Sequence, residues 1–173
     1  MVAPDPAGPT LLQASAASRP DPSKPSAKPR SEHRRLSLGE IASLRAQLHY
    51  RPEDEATILE ETEIEPDAWQ AEDRRADRML ADAAQRGDVA VLAAFDDAYC
   101  AQLDTERGEA VDAQAYAALE LSVERDRTDV ELARQRIPAD AFFPVKRRWA
   151  RAMIDDPALR RDFRDALETA RHA

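Results

Sequence analysis

Ile64-Glu65-Pro66-Asp67-Ala68-Trp69 is the stretch that decides the fold, because a second version, Ile137-Pro138-Ala139-Asp140-Ala141-Phe142, follows it 73 residues later. Each version predicts the start of a helix that has to bury an aromatic residue in its first turns. At the same offset, six of the sixteen residues from position 67 to position 82 recur identically: Asp67/Asp140, Ala68/Ala141, Arg74/Arg147, Arg75/Arg148, Arg78/Arg151 and Asp82/Asp155. The chain therefore reads as two copies of one helical unit.

The match continues on both sides of this stretch. Ile41 corresponds to Tyr116 at an offset of 75, and Phe95 corresponds to Phe163 at an offset of 68. The offset changes only where loops are expected, and apolar residues recur at three- and four-residue steps throughout. The pattern predicts an all-α fold, a tandem duplicated bundle of about eight helices in two four-helix units.

Capping residues predict where several of these helices begin. Ser37 and Glu40 form the capping box of a first helix over residues 38–50. Asp88 is expected to cap the fourth helix, Asp112 the fifth and Asp156 the eighth. Thr128 or Asp129 is expected to cap the sixth helix, and Asp140 the seventh.

The buried faces of the second copy follow from the same spacing. On the fifth helix, Val123 is in phase with Tyr116 and Leu119. On the short sixth helix, Val130, Leu132 and Ala133 are the apolar residues. We expect all six side chains to be buried.

Three segments of different composition divide the chain. Residues 1–37 hold seven of the twelve prolines and few large apolar side chains. Such a segment buries too little apolar surface to offset the entropy of ordering it, so we expect a disordered basic tail. Residues 38–110 form the first predicted unit and residues 111–173 the second, with the two free to pack as one domain.

The net charge of −9 is concentrated in the first unit. Residues 38–110 carry seven basic and nineteen acidic side chains, whereas residues 111–173 carry twelve of each. An acidic body opposes general binding to nucleic acid, which needs a basic surface to neutralise phosphates. A basic partner protein suits the first unit better.

Targeting signals and membrane spans are not visible in the sequence. The first thirty residues lack the basic and apolar segments of a secretory signal, and no apolar stretch is long enough to span a bilayer. We expect a cytoplasmic protein without membrane attachment. Export by a route that does not read an N-terminal signal stays open.

Residues that commonly bind metals or catalyse reactions are sparse and scattered. His33, His49 and His172 are far apart in sequence, and Cys100 is the only cysteine. Cys100 has no nearby base, and neighbouring aspartates oppose its ionisation, so we expect it to be buried and inert. We predict no metal, no cofactor and no catalytic residue.

Charged clusters and apolar faces are the remaining candidates for binding a partner. The acidic candidates are Glu60, Glu61 and Glu63, and the basic candidates are Arg74, Arg75, Arg78, Arg147, Arg148 and Arg151. The acidic group predicts either a solvated face or a docking surface for a basic partner. The arginines predict either salt bridges to a neighbouring acidic helix or binding of phosphate or an acidic partner. An unfilled apolar face on the first or last helix is a third possibility.

The second copy resembles short helical units of uncharacterised bacterial proteins, some of them encoded beside contractile (type VI) secretion clusters. The residues that carry the resemblance are Ile137, Asp140, Phe142, Trp149, Asp156, Pro157, Ala158, Leu159 and Phe163. In the first copy Val89-Ala90-Val91 replaces the Pro-Ala-Leu of this motif. The resemblance implies a helical fold and a genomic neighbourhood, and it implies no catalytic residues.

These observations favour a non-enzymatic role in protein–protein interaction, as an adaptor, scaffold or accessory protein. An acidic immunity-type or chaperone protein that covers a basic toxin or effector is the alternative, since electrostatic steering would speed its association. An enzyme with a carboxylate or arginine site of unrecognised kind is the third class. Oligomeric state is not determined by the sequence.

Overall fold

The computed structural model describes residues 34–172, and these residues form eight α-helices with two short 3-10 turns and no strand. The all-α prediction is confirmed. The predicted disordered tail lies, up to residue 33, outside the described residues. The helices are α1 (Leu38–Tyr50), α2 (Glu55–Glu61), α3 (Pro66–Arg86), α4 (Val89–Arg107), α5 (Ala113–Glu124), α6 (Thr128–Arg134), α7 (Phe142–Asp155) and α8 (Pro157–His172), and the 3-10 turns are Pro52–Asp54 and Ala139–Ala141.

Side-chain caps and glycines set several of the helix ends. At α1 the Glu40 N–H donates to Ser37 Oγ at 3.2 Å, and the Ser37 N–H donates to the Glu40 carboxylate at 2.8 Å, as the capping box predicts. The side chain of Asp88 accepts from the backbone at the start of α4, and that of Asp112 does the same at α5. Gly87 ends α3 with a φ of 67°, a conformation that costs other residues more.

The predicted caps of the sixth and seventh helices were wrong. Thr128 is the first residue of α6, and no side chain caps this helix. Asp140 lies inside the 3-10 turn Ala139–Ala141, where the Ala141 N–H donates to the Pro138 carbonyl, and it caps nothing. A tight turn therefore takes the place of a side-chain cap at the entrance to α7.

Two valines that the spacing predicts to be buried are exposed. Val123 shares a face with Tyr116 and Leu119 but lies in the last turn of α5, and it is 44% exposed. Val130 is 67% exposed because the seven-residue helix α6 buries Leu132 alone. Spacing identifies a face, but it does not say how far along the helix a neighbour covers that face.

The two halves of the described chain use the same order of helices and the same main packing. Each half consists of a long helix, a short one and two long ones. In the first half α1 packs along α4, and in the second half α5 packs along α8. This agreement supports the duplication, which stays a prediction. α4 also packs against α7, and the described residues form one compact unit.

One large apolar core spans both halves. Phe95 and Tyr99 of α4 belong to it, together with Tyr116 of α5 and Trp149 of α7. Trp149 stacks on Tyr116 with ring centroids 4.9 Å apart. That stack joins α5 to α7 within the second half, whereas the shared core and the packing of α4 on α7 hold the second half against the first.

A smaller core lies under α1, α2 and α3. Ile41, Ile58 and Trp69 are among its buried members. The adjacent face of α1, formed by Ala42 and Ala46, enters the large core instead. α1 is therefore the wall between the two cores, and its small alanines allow α4 to approach closely.

Candidate interaction surfaces

A buried carboxylate on α4 is the centre of an ion-pair cluster with α7. Asp96 is fully buried. Arg147 donates to its two oxygens at 3.0 and 2.6 Å, and Arg151 donates to it at 2.8 Å. Arg151 also binds Asp97 at 2.7 Å. Burial lowers the pKa of Arg151, but the two aspartates raise it by more, so this guanidinium is firmly charged.

The third arginine of α7 extends this cluster toward the end of α4. Arg148 donates to Asp104 at 2.9 Å. All three arginines therefore make the salt bridges to an acidic helix that the sequence offered as one alternative. They are committed to the α4–α7 interface, and the phosphate-binding alternative loses its best donors on α7.

Cys100 lies on α4 between Asp96 and Asp104 and is buried, as expected. Burial raises the pKa of its thiol to about 12, with Asp104 and Asp96 adding to the increase and Arg148 opposing it. A thiol with that pKa is a poor nucleophile at neutral pH. Cys100 acts as a small packing residue beneath α7.

The matching arginines of α3 have a different environment. Arg74 and Arg78 are exposed and make neither a hydrogen bond nor an ion pair with any residue between 34 and 172. Arg75 alone is bonded, to Glu72 and to the backbone carbonyl of Leu36. The structure therefore leaves two of the six candidate arginines open to a partner.

The acidic candidates lie at the end of α2 and in the turn that follows it. Glu60, Glu61 and Glu63 are exposed, and none has an ion pair with another described residue. Glu63 has a φ of 56°, which bends the chain sharply before α3. These carboxylates form an open acidic edge that other side chains of the described part do not neutralise.

An apolar groove lies where α7 meets α8. It has a volume of about 440 Å³ and is lined by Met153, Ile154, Arg160, Phe163, Arg164 and Leu167. Ile154 is 75% exposed, and Phe163, whose ring packs at a tilt against Tyr116 on one side, is only half-buried. Sequence reasoning pointed to an apolar face on the last helix but did not single out Ile154.

A polar contact joins α1, α4 and the 3-10 turn before α7. His49 Nδ1 and the Tyr99 hydroxyl share a hydrogen bond of 2.8 Å, and His49 Nε2 lies 3.9 Å from Asp140. Burial lowers the pKa of His49, against the attraction of Asp140. Burial also raises the pKa of Tyr99. A buried phenol that stays protonated is not a nucleophile, so the contact is structural.

Between residues 34 and 172, no group of three or more His, Cys, Asp or Glu side chains is placed to hold a metal ion. The described helices also include none that is long and apolar enough to cross a membrane. Neither the groove at α7–α8 nor the acidic edge contains a histidine. The surfaces that remain are suited to contact with another molecule by shape and charge.

No protein-family model matches the chain, and no curated protein or solved structure matches it either.

Proposed function

We propose that the protein is a non-enzymatic protein–protein interaction module, an adaptor or accessory protein that holds a partner segment in the groove between α7 and α8. The groove carries this proposal. It combines exposed apolar side chains, Ile154 and Phe163 among them, with the arginines Arg160 and Arg164 at its edge. Contiguous apolar surface with a polar rim is typical of a binding site.

The occupant that fits this groove best is an amphipathic segment with acidic residues beside its apolar ones. Arg160 and Arg164 are both exposed and lie one turn apart on α8, with the half-buried Phe163 next to Arg164. Within residues 34–172, the Arg160 side chain donates only to the Met153 backbone carbonyl, at 3.0 Å, and its remaining donors have no partner there. Apolar burial would supply affinity and the arginines would select the partner's charge.

Photo-crosslinking tests this function. A photoreactive phenylalanine analogue placed at position 154 should yield a discrete adduct whose partner peptide is apolar and acidic. The same analogue at position 130, where Val130 is also strongly exposed, is the matched control and should yield none. Equal labelling from both positions, or a crosslinked peptide with no carboxylates, would contradict the proposal.

The acidic edge supports a second candidate, a protein that covers a basic toxin or effector. Glu60, Glu61 and Glu63 are exposed and unpaired among the described residues, so they remain available to a basic surface. Measuring partner binding at low and at high salt concentration separates the two functions. A partner bound to the acidic edge is lost as salt screens the charges, whereas an apolar occupant of the groove is retained. A link to a bacterial secretion system and a cytoplasmic location remain part of the proposal, as the sequence suggests them.

A further inference from the structure

The outward face of α3 repeats the three arginines of the face that α7 uses to bind α4. At the offset of 73, Arg74, Arg75 and Arg78 correspond to Arg147, Arg148 and Arg151. Asp67 and Asp82 flank the set on α3, and in the second copy Asp140 of the 3-10 turn and Asp155 at the end of α7 flank it. Two helices of one chain thus carry the same set of three arginines.

On α7 this pattern is a docking face for an acidic helix. The three arginines bind Asp96, Asp97 and Asp104 of α4 at 2.6 to 3.0 Å. Pro144, at the start of the same face, is buried. The chain therefore contains its own example of what this arrangement of arginines can hold.

On α3 the corresponding face is open around Arg74 and Arg78. Ala71, which takes the place of Pro144, is exposed, and so are Arg74 and Arg78. Arg75 is half-buried, because it bonds Glu72 and the backbone carbonyl of Leu36 in the segment before α1. The opposite side of α3 is the buried one, with Trp69 and Ala76 in the smaller core.

We propose that the outward face of α3 around Ala71, Arg74 and Arg78 docks a helix of a partner protein that carries adjacent carboxylates like Asp96 and Asp97 of α4. Arg147 and Arg151, the counterparts of Arg74 and Arg78, bind these two aspartates. Arg75 is already bonded to Glu72 and the Leu36 carbonyl, so the contact that Arg148 makes with Asp104 has no open counterpart on α3. The partner helix should therefore present two adjacent carboxylates to Arg74 and Arg78.

A second copy of this chain does not provide that helix. Its α4 face is already covered by its own α7. On α8, which corresponds to α4 at the offset of 68, the positions matching Asp96 and Asp104 are Arg164 and His172. Placing Arg164 opposite Arg74 and Arg78 would be repulsive. The charge pattern thus selects a different protein.

A titration followed by NMR tests this surface. The probe is an alanine-based helical peptide with two adjacent aspartates, like Asp96 and Asp97, compared with a counterpart that has two asparagines. We expect the aspartate peptide to shift the side-chain Nε–H signals of Arg74 and Arg78. We expect the asparagine peptide to bind about tenfold more weakly, since its contacts lose their charge.

Charge reversal supplies the matched variants. R74E/R78E should lower the affinity for the aspartate peptide about tenfold. R125E/R127E makes the same change of charge at two other exposed arginines. It should alter the affinity for the aspartate peptide less than about twofold. Equal loss from both variants, or shifts centred on the arginines of α8, would overturn the proposal. Self-association that R74E/R78E abolishes would also overturn it, by making a second copy the occupant.

This proposal rests on the interaction role proposed above but not on the groove at α7–α8. The variant I154D alters the groove and should leave the peptide titration unchanged. Loss of peptide binding in I154D would therefore overturn the separate α3 surface, whereas failure of crosslinking at position 154 would concern the groove alone.

Discussion

Two arginines at equivalent positions can have opposite environments within one chain. Arg147 binds the fully buried Asp96, while Arg74, its counterpart in the first half, is exposed and unpaired among the described residues. Residue type alone predicted both alternatives, salt bridge or free donor, and could not choose between them. The choice depends on whether an acidic helix lies opposite, which is a property of the tertiary structure.

His49 makes stability depend on pH. Burial lowers its pKa from the ordinary value of 6.5, so the unfolded chain binds more protons than the folded one just below that pH. The stability contributed by neutral His49 is present above pH 6.5 and is lost as the pH falls toward the lower, folded-state pKa. We predict that H49Q flattens the rise of the unfolding free energy with pH in this window, measured by urea denaturation.

The control for His49 is H172Q, at the exposed end of α8. Asp140 and Asp73 raise the pKa of His49 and Arg45 lowers it, but burial outweighs them. If the unfolding free energy of H49Q rises with pH as steeply as that of the unaltered protein, then the pKa of His49 does not change on folding, which would contradict the prediction. H172Q should leave the slope as it is.

Helix ends were the elements that the sequence predicted best. Ser37, Asp88, Asp112 and Asp156 all cap helices as their positions suggested, because a cap is a contact between residues two or three apart. The failures came where tertiary context decides. The 3-10 turn Ala139–Ala141 replaced a cap, and nothing covers Val130 on the short α6.

The cap of α8 gives a prediction at this scale. Asp156 accepts from the N–H groups of Ala158 at 2.8 Å and Leu159 at 3.2 Å. D156A should lower the free energy of unfolding by about 1 kcal/mol, measured by chemical denaturation. D155A is the matched control, since Asp155 ends α7 and caps nothing. It should be neutral or slightly stabilising, because its charge faces the negative end of that helix. Equal losses would show that general charge, not the cap, is responsible.

At the scale of the whole molecule, the packing between the two halves is the feature that a pair of repeats does not predict. The spacing predicted two units and matched their buried positions, such as Ile41 with Tyr116. It left open whether the two units share a core, and it did not predict that α4 and α7 join them through Asp96. Those contacts connect residues more than fifty positions apart, beyond the reach of local periodicity. The candidate surfaces differ in the same way. Glu60, Glu61 and Glu63 are neighbours in the chain and could be named from the sequence. The groove at Ile154 depends on how α7 and α8 pack, and it could not.

The central claim is that one arginine pattern holds the molecule together on α7 and stays open on α3, and paired substitutions test it most directly. R147M/R151M leaves Asp96 buried without a cation and should lower the free energy of unfolding by about 3–5 kcal/mol in urea denaturation. R74M/R78M makes the same chemical change on α3 and should alter the free energy of unfolding by less than about 0.5 kcal/mol. Similar losses from both pairs, or none from the first, would contradict the account.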